Sequence, residues 1–136
     1  MYPEELVSPM RKQLTDQGFS ELKTVEDVEN MIKNSGTTLV VVNSVCGCAA
    51  ANARPGAITS LLNDKKPTHL TTVFAGVDRE AVEKVRYFLA HFPPSSPAIA
   101  LLKDGELIHM LERHHIEGRA AEMISQNLVG AYNEHC

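Results

Sequence analysis

The chain has 136 residues, of which 43% are hydrophobic and 22% are charged, with a formal net charge of −4. This length predicts one domain, residues 1–136, around a single core, and the composition is typical of soluble globular proteins. The negative charge argues against nucleic acid or an anionic membrane as the main partner. No segment reaches the roughly 18 apolar residues of a membrane span, and residues 1–5 do not resemble a secretory signal. We therefore expect a cytoplasmic protein without a membrane partner.

The first half of the chain alternates helical and strand-like patterns. We predict an opening helix over 3–17 with a break or kink at Pro9, a short strand over 19–22 and a helix over 25–34. The segment Thr24-Val25-Glu26-Asp27 resembles a capping box that starts the second of these helices. The Leu-Val-Val-Val run at 39–42 predicts a central strand that is buried on both faces.

The second half continues the alternation and ends in a hairpin and a helix. The predicted elements are a helix over 49–62 with a kink or new segment at Pro55, a strand over 71–74, a helix capped by Asp78, strands over 98–102 and 106–111 around the turn Asp104-Gly105, and a final helix over 117–133. Parallel strands joined by helices, followed by a hairpin, predict an α/β fold. Its mixed sheet should be flanked by helices, with an extra helix at the N-terminus.

Cys46 and Cys48 are the strongest candidates for chemistry, because they directly follow the predicted central strand and begin the next helix. Free backbone amides and the positive end of the helix dipole at this position stabilise a thiolate, which is the attacking species in disulfide exchange. Cys48 is placed to attack the sulfur of a mixed disulfide formed at Cys46. Gly47 supplies the flexibility that so small a ring needs, and we expect it to contact the substrate.

Two other interpretations of the cysteines remain open at this point. Both could be small core residues, since cysteine is often buried. They could also bind a metal together with His109, His114, His115 or Cys136, although a structural zinc site normally needs four ligands and no second close pair is evident. We predict no metal site, and the third cysteine, Cys136, lies at the C-terminus, where chains usually fray.

Two further sites are predicted to contact substrate. Ser96 and Pro97 directly precede the strand over 98–102, where an X-Pro bond can adopt the cis form, and the backbone of Ser96 is expected to pair with an extended substrate. An ordinary proline-rich turn is the alternative. Arg54 lies in the helix after the cysteines and is expected to bind a carboxylate of an acidic thiol, with a solvated surface arginine as the alternative.

The chain resembles the bacilliredoxin family in a series of motifs. The main one is Val42-Asn43-Ser44-Val45-Cys46-Gly47-Cys48-Ala49-Ala50 followed by Ala53-Arg54-Pro55, and further matches are Thr72-Val73-Phe74-Ala75-Gly76, Pro94-Ser95-Ser96-Pro97 and Ile116-Glu117-Gly118. The resemblance covers nearly the whole chain. It implies a thioredoxin-like fold, with Cys46 as nucleophile, Cys48 as resolving thiol, and Ser96-Pro97 as the loop that carries a cis-proline.

The same resemblance implies the reaction and its partners. Family members remove bacillithiol from protein mixed disulfides, and related proteins act as weak disulfide isomerases. The expected substrates are S-thiolated cytoplasmic proteins, and the expected co-substrate is bacillithiol or a similar small thiol. No tightly bound cofactor is implied, because a flavin-dependent bacillithiol disulfide reductase would regenerate the thiol separately. A metal-binding or metal-delivery module using the two cysteines, and a protein disulfide isomerase, are the alternative functions.

Overall fold

The computed structural model describes residues 2–136 and contains six α-helices and five strands. The helices are α1 (Glu4–Thr15), α2 (Val25–Ile32), α3 (Arg54–Ser60), α4 (Arg79–Phe88), α5 (Arg113–Ile116) and α6 (Ala121–His135), and a π-helical turn (Ala49–Ala53) precedes α3. The strands are β1 (Ser20–Glu21), β2 (Thr37–Asn43), β3 (His69–Phe74), β4 (Ala98–Lys103) and β5 (Glu106–Leu111). Within residues 2–136, no helix is both long enough and apolar enough to cross a membrane.

The five strands form one mixed sheet in the order β1-β3-β2-β4-β5. Strand β3 pairs in parallel with β1 and β2, whereas β4 pairs antiparallel with β2 and β5. All seven residues of β2 are buried, which confirms the predicted central strand. The carboxyl end of β2 therefore emerges in the middle of the sheet, and the cysteines follow it.

Alternate residues of β2 face two separate layers of the core, as the period-2 geometry of a strand requires. Leu39 and Val41 pack in a cluster with buried side chains of α1, α3 and α6, while Val40 and Val42 pack with those of α2 and α4. Helices thus cover both faces of the sheet. This arrangement confirms the predicted α/β class and the extra N-terminal helix.

Two predicted helices differ from the structure. A break or a kink was predicted at Pro9, and the break is wrong, because helix α1 runs through Pro9. The final helix does not begin at residue 117, because Gly118, with a φ of +77°, separates α5 from α6. A short helix, α5, consequently lies between β5 and α6, at the end of the sheet where the carboxyl end of β2 also lies. At Pro55 the prediction of a new segment is confirmed, since the π-helical turn gives way to α3 there.

Candidate active site

The cysteine turn, residues 44–48, joins the carboxyl end of β2 to the π-helical turn. The carbonyl of Cys46 accepts the backbone N–H groups of Ala49 and Ala50, at 2.9 and 3.3 Å, so the helical hydrogen bonds begin at this residue. Cys46 and Cys48 are partly exposed, and both are free thiols. Partial exposure contradicts the alternative that the pair is simply core packing. π-Helical turns also occur frequently at functional sites.

The two thiols differ in acidity because their surroundings differ. Hydrogen bonds from the Cys48 thiol and from the Cys48 backbone N–H lower the pKa of Cys46, and the positive charge of Arg113 acts in the same direction. Burial, and then the neighbouring Cys46, raise the pKa of Cys48. Cys46 is therefore the more acidic thiol, in agreement with the thiolate expected at the start of the helix. The leading cause is the Cys48 thiol, while the backbone N–H groups of Cys48 and Ala49, the helix-start amides expected from sequence, each contribute less.

Arg113, at the start of α5, is the residue at this site that the sequence analysis missed. Its Nη2 lies 3.3 Å from the Sγ of Cys46, although the two residues are 67 positions apart in sequence. Its Nη1 donates to the carbonyl of Ser96 at 3.1 Å, and its Nε donates to Glu117 at 3.1 Å. One guanidinium therefore joins the cysteine turn, the proline loop and α5.

The register of the strands explains why Arg113 lies near the cysteine turn. Ala98 pairs with Val42, and Ile99 pairs with Leu111. The last residues of β2, the first residues of β4 and the last residues of β5 therefore lie at the same end of the sheet. A charged residue just after β5 must therefore lie near the cysteine turn. The hairpin was predicted, but the order of its strands relative to β2 was not.

The loop before β4 lies next to the cysteine turn, because the guanidinium of Arg113 contacts both the Ser96 carbonyl and Cys46 Sγ. The Ser96–Pro97 peptide bond is cis, which confirms that prediction. Pro97 is buried and Ser96 is partly exposed, and the Ser96 carbonyl already accepts the hydrogen bond from Arg113. The pairing of Ser96 and Pro97 with substrate stays a prediction.

Arg54 does not lie where its predicted contact with substrate requires. The side chain is buried, with only 3% of the residue exposed, and burial lowers its pKa. Its Nε donates to Gln13 Oε1 at 2.7 Å, and its Nη1 donates to Asn43 Oδ1 at 2.8 Å and to the Ser44 carbonyl at 2.9 Å. The guanidinium is directed into the protein, so Arg54 supports the cysteine turn from beneath and does not present a surface to a ligand.

Helix α1 also supports the cysteine turn through hydrogen bonds. Asn43 donates from its Nδ2 to the carbonyl of Met10 at 3.1 Å and accepts the backbone N–H of Ser44 at 2.9 Å. Ser44 Oγ in turn accepts the backbone N–H of Cys46 at 2.9 Å. The extra N-terminal helix thus connects to Cys46 through two polar side chains. Gly47 is exposed, and a Cβ at this position would meet no atom within 4 Å. The contact of Gly47 with substrate stays a prediction.

The remaining metal-ligand candidates lie outside the cysteine pair. Among residues 2–136, one group of three ligand atoms lies within 4.8 Å of one another, and it consists of Glu112, His114 and His115. Neither Cys46 nor Cys48 belongs to it. Cys136 lies at the other end of β2, with its Sγ 3.5 Å from Thr37 Oγ1. A seven-residue strand spans about 20 Å, so Cys136 cannot form a disulfide with the active-site cysteines in this fold.

Comparison with known proteins agrees with this geometry. Residues 2–136 match the model of a family described as disulphide isomerase. The chain is 58% identical over 134 residues to a bacilliredoxin of Cytophaga hutchinsonii, covering 98% of this chain and 99% of that protein. It is 55% identical over 136 residues to a bacilliredoxin of Halalkalibacterium halodurans, covering 99% of this chain and 94% of that protein. The chain belongs to the bacilliredoxin family.

Solved structures agree on the fold of this family member. Mitochondrial thioredoxin 3 of Saccharomyces cerevisiae superposes with a TM-score of 0.56 at 16% identity, covering 85% of this chain and 94% of the thioredoxin. Thioredoxin O2 of Arabidopsis thaliana gives 0.56 at 16% identity, with 86% and 96% covered. The fold is thioredoxin-like, as predicted. Together with the family, it identifies the chain as a thiol–disulfide oxidoreductase.

Proposed function

We propose that this protein removes bacillithiol, or a similar small thiol, from mixed disulfides of cytoplasmic proteins. The observation that carries the proposal is the cysteine pair itself. Cys46 has a lowered pKa and lies 3.3 Å from the Arg113 guanidinium, with a more weakly acidic thiol two residues away. The names of the relatives support bacillithiol as the thiol.

In the first step, the Cys46 thiolate attacks the bacillithiol sulfur of the substrate's mixed disulfide. The bond between that sulfur and the substrate cysteine breaks, and the substrate leaves as a thiolate that takes up a proton from solvent. Bacillithiol is now disulfide-bonded to Cys46. Arg113 favours this step because it stabilises the attacking thiolate relative to the thiol.

In the second step, the mixed disulfide on Cys46 is resolved by one of two thiolates. The Cys48 thiolate can attack Cys46 Sγ, which forms the Cys46–Cys48 disulfide and releases bacillithiol. Alternatively, a second bacillithiol attacks the bound bacillithiol, which frees Cys46 and yields bacillithiol disulfide. In the first route, two further bacillithiol molecules reduce the Cys46–Cys48 disulfide by successive exchange, which frees both cysteines and also yields bacillithiol disulfide. Neither route needs a tightly bound cofactor, because a separate flavin-dependent reductase would return bacillithiol disulfide to thiol.

Intact mass after a single turnover on a bacillithiol-modified protein tests the proposal. Cys46→Ser should remove no bacillithiol, because a serine hydroxyl is almost fully protonated at neutral pH. Cys48→Ser should take up one bacillithiol and remain as the adduct until free thiol is added. Full turnover by Cys46→Ser would refute the assignment of the nucleophile.

The Cys48 position offers a matched control. Cys48→Ser keeps a hydrogen-bond donor beside Cys46, whereas Cys48→Ala removes both the resolving thiol and the donor that lowers the pKa of Cys46. Both variants should stall as adducts, and Cys48→Ala should form its adduct more slowly below neutral pH. Equal rates for the two variants would contradict a donor role for Cys48.

The description of the matching family favours disulfide isomerase as a second candidate function. An isomerase rearranges disulfides within one substrate chain and needs no small thiol as leaving group. Reactivation of a scrambled-disulfide protein, measured without added small thiol, separates the two functions. Rapid reactivation together with slow removal of bacillithiol would favour the isomerase.

A further inference from the structure

A cavity of about 390 Å³ lies between the end of β5, α5 and the first turns of α6. Leu111 and Met123 contribute apolar surface to its lining, and His115, Arg119 and Asn127 contribute polar groups. This volume falls in the range of about 300–1,000 Å³ that is typical of sites for small ligands. Mixed lining of this kind suits a ligand that carries both polar and apolar parts.

Two contacts place this cavity beside the cysteine turn. His115 lies in the single turn of α5 that begins with Arg113, whose guanidinium contacts Cys46 Sγ. Asn52, four residues after Cys48, donates a side-chain hydrogen bond to the carbonyl of Arg119. The cavity and the nucleophile are therefore joined through α5 on one side and through the π-helical turn on the other.

Arg119 supplies a positive charge that the protein itself does not use. It is exposed, and its guanidinium forms no ion pair or hydrogen bond within the part of the chain that the structure describes. Two neighbouring carboxylates have other partners: Glu117 lies 3.1 Å from Arg113, and Glu112 lies 3.8 Å from His114. A free guanidinium at a cavity wall is suited to bind a carboxylate through two parallel hydrogen bonds.

We propose that this cavity binds the acidic portion of the small thiol whose sulfur is transferred to Cys46, with Arg119 binding a carboxylate. The inference rests on the proposed function and adds the subsite that selects an acidic thiol over a neutral one. Arg113 then acts on sulfur, and Arg119 acts on the distant end of the same molecule. In this arrangement the binding energy of the acidic group orients the scissile disulfide toward Cys46.

The test uses one reporter protein carrying either bacillithiol or 2-mercaptoethanol on the same cysteine. Arg119→Gln should lower kcat/KM for the bacillithiol-modified reporter by about tenfold, which is the effect of losing one good carboxylate contact. The loss should appear mainly in KM, and Arg119→Glu should lose more. Activity on the 2-mercaptoethanol-modified reporter should change less than twofold in both variants. Arg79→Gln, at an exposed arginine at the start of α4, is the matched control and should behave as wild type.

The outcomes separate this inference from the proposed function. A wild-type protein that fails to remove bacillithiol contradicts the proposed function itself. An active wild type whose Arg119 variants keep full activity on the bacillithiol-modified reporter overturns the subsite and leaves the function standing. Equal losses on both reporters also overturn it, because they would show that Arg119 does not act through the acidic group.

Discussion

Replacing Arg54 by methionine distinguishes a residue that supports the cysteine turn from one that binds substrate. The substitution keeps an unbranched side chain of moderate length but removes all donors. It leaves Gln13 Oε1, Asn43 Oδ1 and the Ser44 carbonyl without the guanidinium that now serves them at 2.7–2.9 Å. Asn43 and Ser44 are buried at the end of β2, so water cannot fully replace the donors lost there, whereas Gln13 in α1 is partly exposed.

The expected loss of stability follows from those three contacts. A hydrogen bond to a charged group contributes about 1.5–3 kcal/mol, but the contributions are not additive, and removal of a buried charge recovers part of its desolvation cost. We expect a net loss of about 2–4 kcal/mol in the free energy of unfolding. For a chain of this length the entropy of unfolding is roughly 0.3 kcal/mol per kelvin, so Tm should fall by about 7–14 °C.

Thermal unfolding followed by circular dichroism measures this effect. Arg54→Lys keeps the charge but not the planar set of donors, so its Tm should lie between those of wild type and Arg54→Met. Arg79→Met removes an exposed arginine and should shift Tm by less than about 2 °C. A supporting role for Arg54 is refuted if Arg54→Met melts within 2 °C of wild type and loses only its activity on bacillithiol-modified protein. That result would restore the substrate-binding role predicted from sequence.

Three further measurements test the active site and the packing around it. Alkylation at graded pH, followed by peptide mass spectrometry, should label Cys46 before Cys48 below neutral pH, and the reverse order would exchange their roles. Arg113→Gln should slow alkylation of Cys46 at pH 6 roughly threefold, because it removes the positive charge next to the thiolate, and an unchanged rate would refute that contribution. Gly56→Ala should lower the free energy of unfolding by about 1–2 kcal/mol, since its Cβ would lie 2.7 Å from Ile124 Cγ2. Gly130→Ala meets open space and should raise it by about 0.5–1 kcal/mol, so equal effects of the two glycine substitutions would contradict the packing argument.

Features that depend on neighbouring residues in the chain were predictable from the sequence. The capping box forms as predicted, with Thr24 Oγ1 accepting the Asp27 N–H at 3.0 Å and the Asp27 carboxylate accepting the Thr24 N–H at 3.2 Å. The buried β2 strand, the hairpin and the position of Cys46 between strand and helix also follow from local patterns. Such features are predictable because propensity, periodicity and capping operate within a few residues of one another.

The hydrogen bonds of Asp78 could not be predicted from its neighbours in the sequence. It occupies the predicted cap position of α4, but its side chain makes no cap hydrogen bond. The carboxylate instead accepts two hydrogen bonds from Arg11, at 2.8 and 3.0 Å, across 67 positions of sequence. A buried guanidinium attracts the carboxylate more strongly than the neutral helix amides do.

The identity of the residues around Cys46 was likewise decided by tertiary structure. Arg113 reaches the thiol because the antiparallel pairing of β4 with both β2 and β5 brings the end of β5 to the end of β2. Arg54 is buried because α1 packs over it and supplies Gln13 as an acceptor. The sequence was enough to predict which thiol should react, since the chemistry of a thiol at a helix start is local. Only the packing of distant elements determined which charges surround it, because that depends on strand order and helix contacts that no short segment encodes.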